Sequence, residues 1–208
     1  MLDTAFLLNV VPDRYKNLGL SPLDEYFAAA RGYQGEKGDV KALAMKKWFN
    51  TNYHYMVPEI DDNTVLKLSD NKPFELFTEA LDNGVKTTPV IIGPYTFLEL
   101  ARYIGTKTKE NFFGGITDSY IQIIGKLVNL GAEWIQLDEP CLVKDMSRED
   151  IEFFNSLYTK ILENKNGLKI RLQTYFGDVR DCYNEICALD FDGIGLDFIE
   201  GKKTLELI

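Results

Sequence analysis

Histidine occurs once in the 208 residues, at His54, and cysteine three times, at Cys141, Cys182 and Cys187. A lone imidazole cannot build the three- or four-ligand set of an ordinary protein zinc site. Flanked by Tyr53 and Tyr55, it reads as a packed, hydrogen-bonded side chain rather than a proton-transfer group. The cysteines are odd in number and show no CxxC hook, so neither a disulfide framework nor a redox motif is expected. No apolar run approaches the ~20 residues that span a bilayer. Met1-Leu2-Asp3 places acid where a secretory leader carries positive charge, which predicts a cytoplasmic protein without a membrane partner. No GxGxxG or GxxxxGK[ST] follows a strand-like segment, and no GxSxG elbow marks a nucleophilic serine. Positive charge is short as well: 23 Lys and Arg stand against 32 Asp and Glu, a net charge of -9 that disfavours nucleic acid.

What is present is ordinary globular composition, 45% hydrophobic and 26% charged, in a length that predicts one domain over residues 1–208. Helical periodicity covers Leu2 to Val10. It returns at Pro22 to Ala30, with Ser21 as cap and Pro22 in the first turn, and again over Pro73–Asn83, Tyr95–Tyr103, Ser119–Leu130, Asp150–Leu162 and Val179–Leu189. Residues 32–39 read as a mobile glycine-rich loop, and Val40 to Trp48 as helical or irregular. Strand composition marks Tyr53–Glu59, Pro89–Pro94, Trp134–Pro140, Leu168–Phe176 and Phe191–Ile199.

Helix-length segments between short strands are the pattern of βαβ units with parallel strands and covered faces. The fold class expected is therefore α/β. A partial TIM-type (β/α)8 barrel of about five parallel strands competes with an open doubly wound sheet, which the missing nucleotide motifs weaken. The strands end in polar groups at Glu59, Asp138-Glu139 and Asp197, where a barrel's mouth would lie. Alternation lets at most one of Asp138 and Glu139 face that mouth, and a structural role outweighs acid–base catalysis for both. Gly93-Pro94-Tyr95-Thr96 could offer amides to an anion, although a tight strand-to-helix turn explains it as well. Lys46-Lys47-Trp48-Phe49-Asn50-Thr51-Asn52 combines cations, an aromatic plate and short polar side chains. That set suits an extended polycarboxylate or phosphate, or an ordinary solvated turn.

Met45 to Glu59, Pro89 to Phe97, Gly131 to Pro140 and Leu172 to Phe176, in that order, closely resemble the N-terminal domain of cobalamin-independent methionine synthase. The resemblance implies one of two facing barrels. The C-terminal barrel of such enzymes binds zinc and homocysteine and takes the methyl group from 5-methyltetrahydropteroyltri-L-glutamate. The N-terminal barrel supplies scaffold and helps hold the folate's glutamate tail, and Lys47 matches a tail-binding residue of that domain. The family's first two strands, a Gly-Phe-Pro-Arg-type segment and the last strand have no counterpart here, so the chain matches strands three to seven. Where the catalytic barrel carries a metal-binding His and Cys, this sequence has Gln173 and Tyr175. Where it carries a metal-binding glutamate, the match is Asp197.

The resemblance thus predicts a methyltransferase fragment in methionine biosynthesis that binds no metal, has no catalytic residue of its own and is inactive alone. Its partners would be a C-terminal catalytic barrel and an anionic polyglutamyl folate. An alternative is an incomplete barrel that self-associates through unpaired strand edges. A third reading, an independent enzyme using Asp138 or Glu139, requires activity without zinc.

Overall fold

The computed structural model describes residues 1–208. Three helices, α1 (Leu2–Leu7), α2 (Asp13–Lys16) and α3 (Pro22–Arg31), open the chain. Leu2, Val11, Tyr15, Ala28, Ala29 and Leu43 gather them into a small core. Two antiparallel hairpins follow, β1 (Tyr33–Gly35) with β2 (Gly38–Val40) and β3 (Met45–Lys47) with β4 (His54–Met56). Next come β5 (Glu59–Asp61), α4 (Lys72–Asp82), β6 (Val90–Ile92), α5 (Pro94–Leu100) and β7 (Arg102–Ile104). The remainder runs α6 (Phe113–Asn129), β8 (Trp134–Asp138), α7 (Arg148–Leu162), β9 (Lys169–Gln173), α8 (Tyr183–Ala188), β10 (Gly193–Gly195) and α9 (Thr204–Leu207).

Strands β6, β8, β9 and β10 lie side by side in that order, all parallel, and β5 pairs in parallel with β7 as a separate two-stranded ladder. Helices between successive parallel strands give the layout of a partial β/α barrel. The sheet is two-faced. Ile135 and Leu137 of β8 and Ile170 and Leu172 of β9 share the main core with Tyr120 and Ile124 of α6 and Leu157 and Ile161 of α7, all fully buried. The residues between them, Trp134, Gln136, Asp138, Lys169, Arg171 and Gln173, point to the opposite face and are half-buried or exposed. The expectation that both faces of these strands are covered is therefore corrected: helices cover one face, and a polar concave face is left.

Several segments differ from expectation for local reasons. The glycine-rich stretch at 32–39 is a hairpin, because Glu36-Lys37 forms a two-residue turn between the paired Gly35 and Gly38. Met45–Lys47 is neither helical nor irregular but pairs with His54–Met56. The apparent single strand Tyr53–Glu59 divides at Pro58, and its second part pairs instead with β7, so it adds no fifth strand to the main sheet. The helix expected over Tyr95–Tyr103 stops at Leu100, where Ala101 turns extended and Arg102–Ile104 becomes a strand. Helix α6 begins six residues earlier than Ser119, through Gly114-Gly115. A Cβ on Gly115 would sit 3.0 Å from the Leu66 carbonyl oxygen, so this glycine serves packing rather than a break. No helix is long and apolar enough to cross a membrane.

Candidate functional site

The parallel register aligns Ile92, Asp138, Gln173 and Gly195 in one row at the C-terminal ends of the four strands. Adjacent residues then turn in opposite directions, as strand alternation requires. Glu139 turns inward and is completely buried. Its carboxylate accepts from the amides of Tyr95 (2.9 Å) and Thr96 (2.6 Å) and from the Tyr158 hydroxyl (2.6 Å). A Cβ on Gly93 would fall 2.2 Å from Glu139 Oε1. The group received by the Gly93–Thr96 turn is thus the protein's own Glu139 carboxyl, which caps α5 and fixes the exit of β8. Burial pushes this carboxyl up to about 7 against the pull of those three donors.

Asp138 faces the concave side. It accepts from Gln136 Nε2 at 2.9 Å and from the Tyr175 hydroxyl at 3.2 Å, and burial raises its pKa above the usual carboxylate range. Gln173 Nε2 donates to the Thr174 carbonyl at 3.0 Å, and its amide lies over Gly195, leaving no room there for a Cβ. Asp197 accepts from the amides of Phe176 (2.8 Å), Ile199 (2.8 Å) and Glu200 (3.0 Å). Burial opposes its charge, but those amides outweigh it and hold the carboxyl below its ordinary value. Gln173, Tyr175 and Asp197 are therefore committed to neighbours within the chain. No three His, Cys, Asp or Glu side chains form a metal-ligating group. These residues do not fit zinc.

Beside this mouth stands the β3–β4 hairpin. Its turn is closed by the Trp48 amide on the Tyr53 carbonyl (2.8 Å) and by Thr51, whose amide (3.1 Å) and hydroxyl (2.6 Å) both reach the Trp48 carbonyl. Register pairs Lys47 with His54 and Lys46 with Tyr55, so the two lysines occupy opposite faces. Both are exposed, and neither has a carboxylate within ion-pair distance. His54 is exposed beside Lys47 and makes no side-chain hydrogen bond, which corrects the expectation of a packed histidine. The strand pairing decides this by turning His54 away from the body while Tyr55 reaches towards the Leu100 carbonyl at 3.5 Å.

Two phenylalanines to which the sequence assigned no role of their own join hairpin to mouth. Phe49 (φ 52°) and Phe176 (φ 73°) both adopt the left-handed backbone conformation, costly for a bulky L residue. Their rings lie 5.5 Å apart. Trp48 packs edge-on against Phe49 at 5.2 Å and Tyr55 at 5.5 Å, and Phe176 meets Tyr175 at 4.8 Å. The Lys144 ammonium sits 5.6 Å from the Phe49 ring. An aromatic row therefore runs from the Lys47 turn to the Tyr175–Asp138 hydrogen bond. The arrangement offers exposed cations beside an aromatic row, one of them, Lys144, against the Phe49 ring, and no assembled nucleophile–base pair. Cys141 and Cys182 are buried, and that burial raises their thiols to about 11 and about 12, far from reactive thiolates.

The largest cleft, about 740 Å³ between α4 and α6, contains none of these residues and is broadly open. The cleft that reaches the mouth is smaller, about 220 Å³, and brings Met1, Asp3 and Lys72 near Ile92 and Asp138. Chemistry points to the mouth and hairpin rather than to the larger volume.

All 208 residues match the family described as "Cobalamin-independent synthase, N-terminal domain". Among similar curated proteins is the 5-methyltetrahydropteroyltriglutamate–homocysteine methyltransferase of Streptococcus thermophilus, 55% identical over 207 residues. The proteins of that name from Streptococcus gordonii and Lactococcus lactis subsp. cremoris are 53% and 51% identical. The match takes in 100% of this chain but only 28% of the S. thermophilus and S. gordonii proteins and 27% of the L. lactis one. A crystal structure described as the "Putative Vitamin-B12 Independent Methionine Synthase from Listeria monocytogenes" superposes with a TM-score of 0.58 at 16% identity. It covers 66% of this chain and 48% of its own length, a likeness of fold.

Proposed function

Because this chain belongs to the family of cobalamin-independent synthase N-terminal domains, we propose that it supplies scaffold and part of the grip on the glutamate tail of 5-methyltetrahydropteroyltri-L-glutamate. Methyl transfer to homocysteine is completed in this reading by a C-terminal barrel that holds zinc, and the isolated chain does not turn over. The chain acts as one domain and in the cytoplasm. The observation that carries the reading is Lys47, an exposed ammonium free of ion pairs at the head of the β3–β4 turn, in a chain whose overall charge would otherwise repel a polyanion.

An exposed lysine–carboxylate contact contributes roughly 0.2–1 kcal/mol and is screened by salt. Calorimetric titration with the triglutamyl folate should therefore show weak binding that weakens as salt rises. Lys47→Ala is expected to reduce affinity about two- to fivefold at low salt. An unchanged isotherm would remove Lys47 from the tail site.

A second reading draws on the open edges of the four-stranded sheet. Neither β6 nor β10 has an outer neighbour, and Val90 and Ile194 on them are 57% and 37% exposed. Such edges favour pairing with another strand, so a self-associated copy competes with the C-terminal barrel as partner. A monomer at high micromolar concentration in sedimentation would discard it.

A further inference from the structure

Asp197 stands where the catalytic barrel of the resembled family has a metal ligand, yet both of its oxygens are spent on backbone amides. Oδ1 takes Ile199 and Glu200, and Oδ2 takes Phe176. Phe176 is the residue that would most resist its position, because its side chain is bulky and its φ is 73°. Its ring supports Phe49, whose φ of 52° shapes the start of the turn two residues after Lys47. The Asp197 carbonyl accepts from the Thr204 hydroxyl at 2.6 Å, which ties the same residue to α9. From these contacts we infer that Asp197 is a positioning residue: through Phe176 and Phe49 it holds the β3–β4 turn and so presents Lys47.

The coupling is specific because each link is directional. Without the Oδ2 acceptor, the Phe176 amide loses its partner and the left-handed conformation loses the bond that offsets its strain. The Phe176 ring is then free to move, and Phe49 loses the surface on which it rests. The sheet does not depend on this chain of contacts, since its core lies on the opposite, helix-covered face. The tail-binding consequence rests on the Lys47 reading above, whereas the effect on the turn does not.

Asp197→Asn isolates the link. Its carbonyl oxygen can keep the Ile199 and Glu200 amides, but its NH2 group meets the Phe176 N–H donor to donor. In hydrogen exchange on the ligand-free 208-residue chain, the Trp48 amide, bonded to the Tyr53 carbonyl, is expected to exchange about tenfold faster. The Gln136 amide, bonded to Pro89 across β8 and β6, should keep its parent rate. Phe176→Gly, which tolerates positive φ but removes the ring, should loosen the same turn amide and covers the case in which Asp197→Asn does not fold. Parent-like exchange at Trp48 in both variants, or in Phe176→Gly alone where Asp197→Asn is insoluble, would overturn the assignment. Titration with 5-methyltetrahydropteroyltri-L-glutamate then judges the other reading separately. If Lys47→Ala weakens binding, Asp197→Asn should weaken it too and add little in the Lys47→Ala background. If Lys47→Ala binds like the parent, the tail reading fails while faster exchange at Trp48 still supports Asp197 as the anchor of the turn.

Discussion

At the scale of single residues, Asp138 and Glu139 show how one peptide bond separates two chemistries. Glu139 is sealed under α5 and α7, and Asp138 looks onto the concave face. The raised pKa of Glu139 makes the protonated acid the preferred form in the fold, and the Tyr158 hydroxyl is a partner able to reverse and accept its proton. Its stabilising contribution is complete below the ordinary value of 4.5 and is lost as pH rises through about 7. Stability measured by urea denaturation is expected to fall by about 3 kcal/mol across that interval. Glu139→Gln, neutral at every pH, should flatten the profile, and a slope that persists in it would assign the pH dependence elsewhere. The sequence did indicate that only one of the pair could face the mouth. It could not indicate which, because that depends on Gly93 leaving a hollow 46 positions away.

Elements are where local sequence and long-range pairing competed. Helix α7 was legible from its period alone, and the structure adds a reciprocal cap ahead of the expected start: the Ser147 hydroxyl accepts from the Asp150 amide at 3.1 Å, and the Asp150 carboxylate accepts from the Ser147 amide at 3.3 Å. Ser147→Ala should cost about 1 kcal/mol, a melting temperature lower by about 2–4 °C. No shift in a calorimetric scan would mean that Lys109, which bridges Glu99 and Asp150, holds the helix start alone. By contrast, β5 and β7 are three residues each and find one another across α4, β6 and α5. Three residues carry no readable period, so Arg102 and Tyr103 read as the tail of a helix. The left-handed Phe49 and Phe176 were equally hidden, because nothing in phenylalanine's preferences anticipates positive φ. The alternation of β8 and β9 was in plain view, yet their apolar content reads as strands covered on both faces, and Gln136 and Arg171 stay without a role in the sequence.

For the whole molecule, the fold class was legible because four βα repeats leave a strong periodic record, while closure leaves none. The four-stranded sheet has two unpartnered sides, and the β6 side presents Val90. The 208-residue chain is expected to self-associate at tens of micromolar, and Val90→Lys, a charge on that edge, should shift sedimentation towards monomer. Equal profiles for parent and variant would clear the β6 edge of any part in association.

The concave face sets a condition on any wall built opposite it. Trp134 lies beneath two cations, the Lys169 ammonium at 5.3 Å and the Arg171 guanidinium at 5.4 Å. A complement lined with leucine and valine would strip water from that guanidinium and offer nothing in return. Whatever encloses this hollow must therefore bring carboxylates, carbonyls or trapped water to meet Arg171. The interior so formed would be a wet, charged chamber rather than an oily plug.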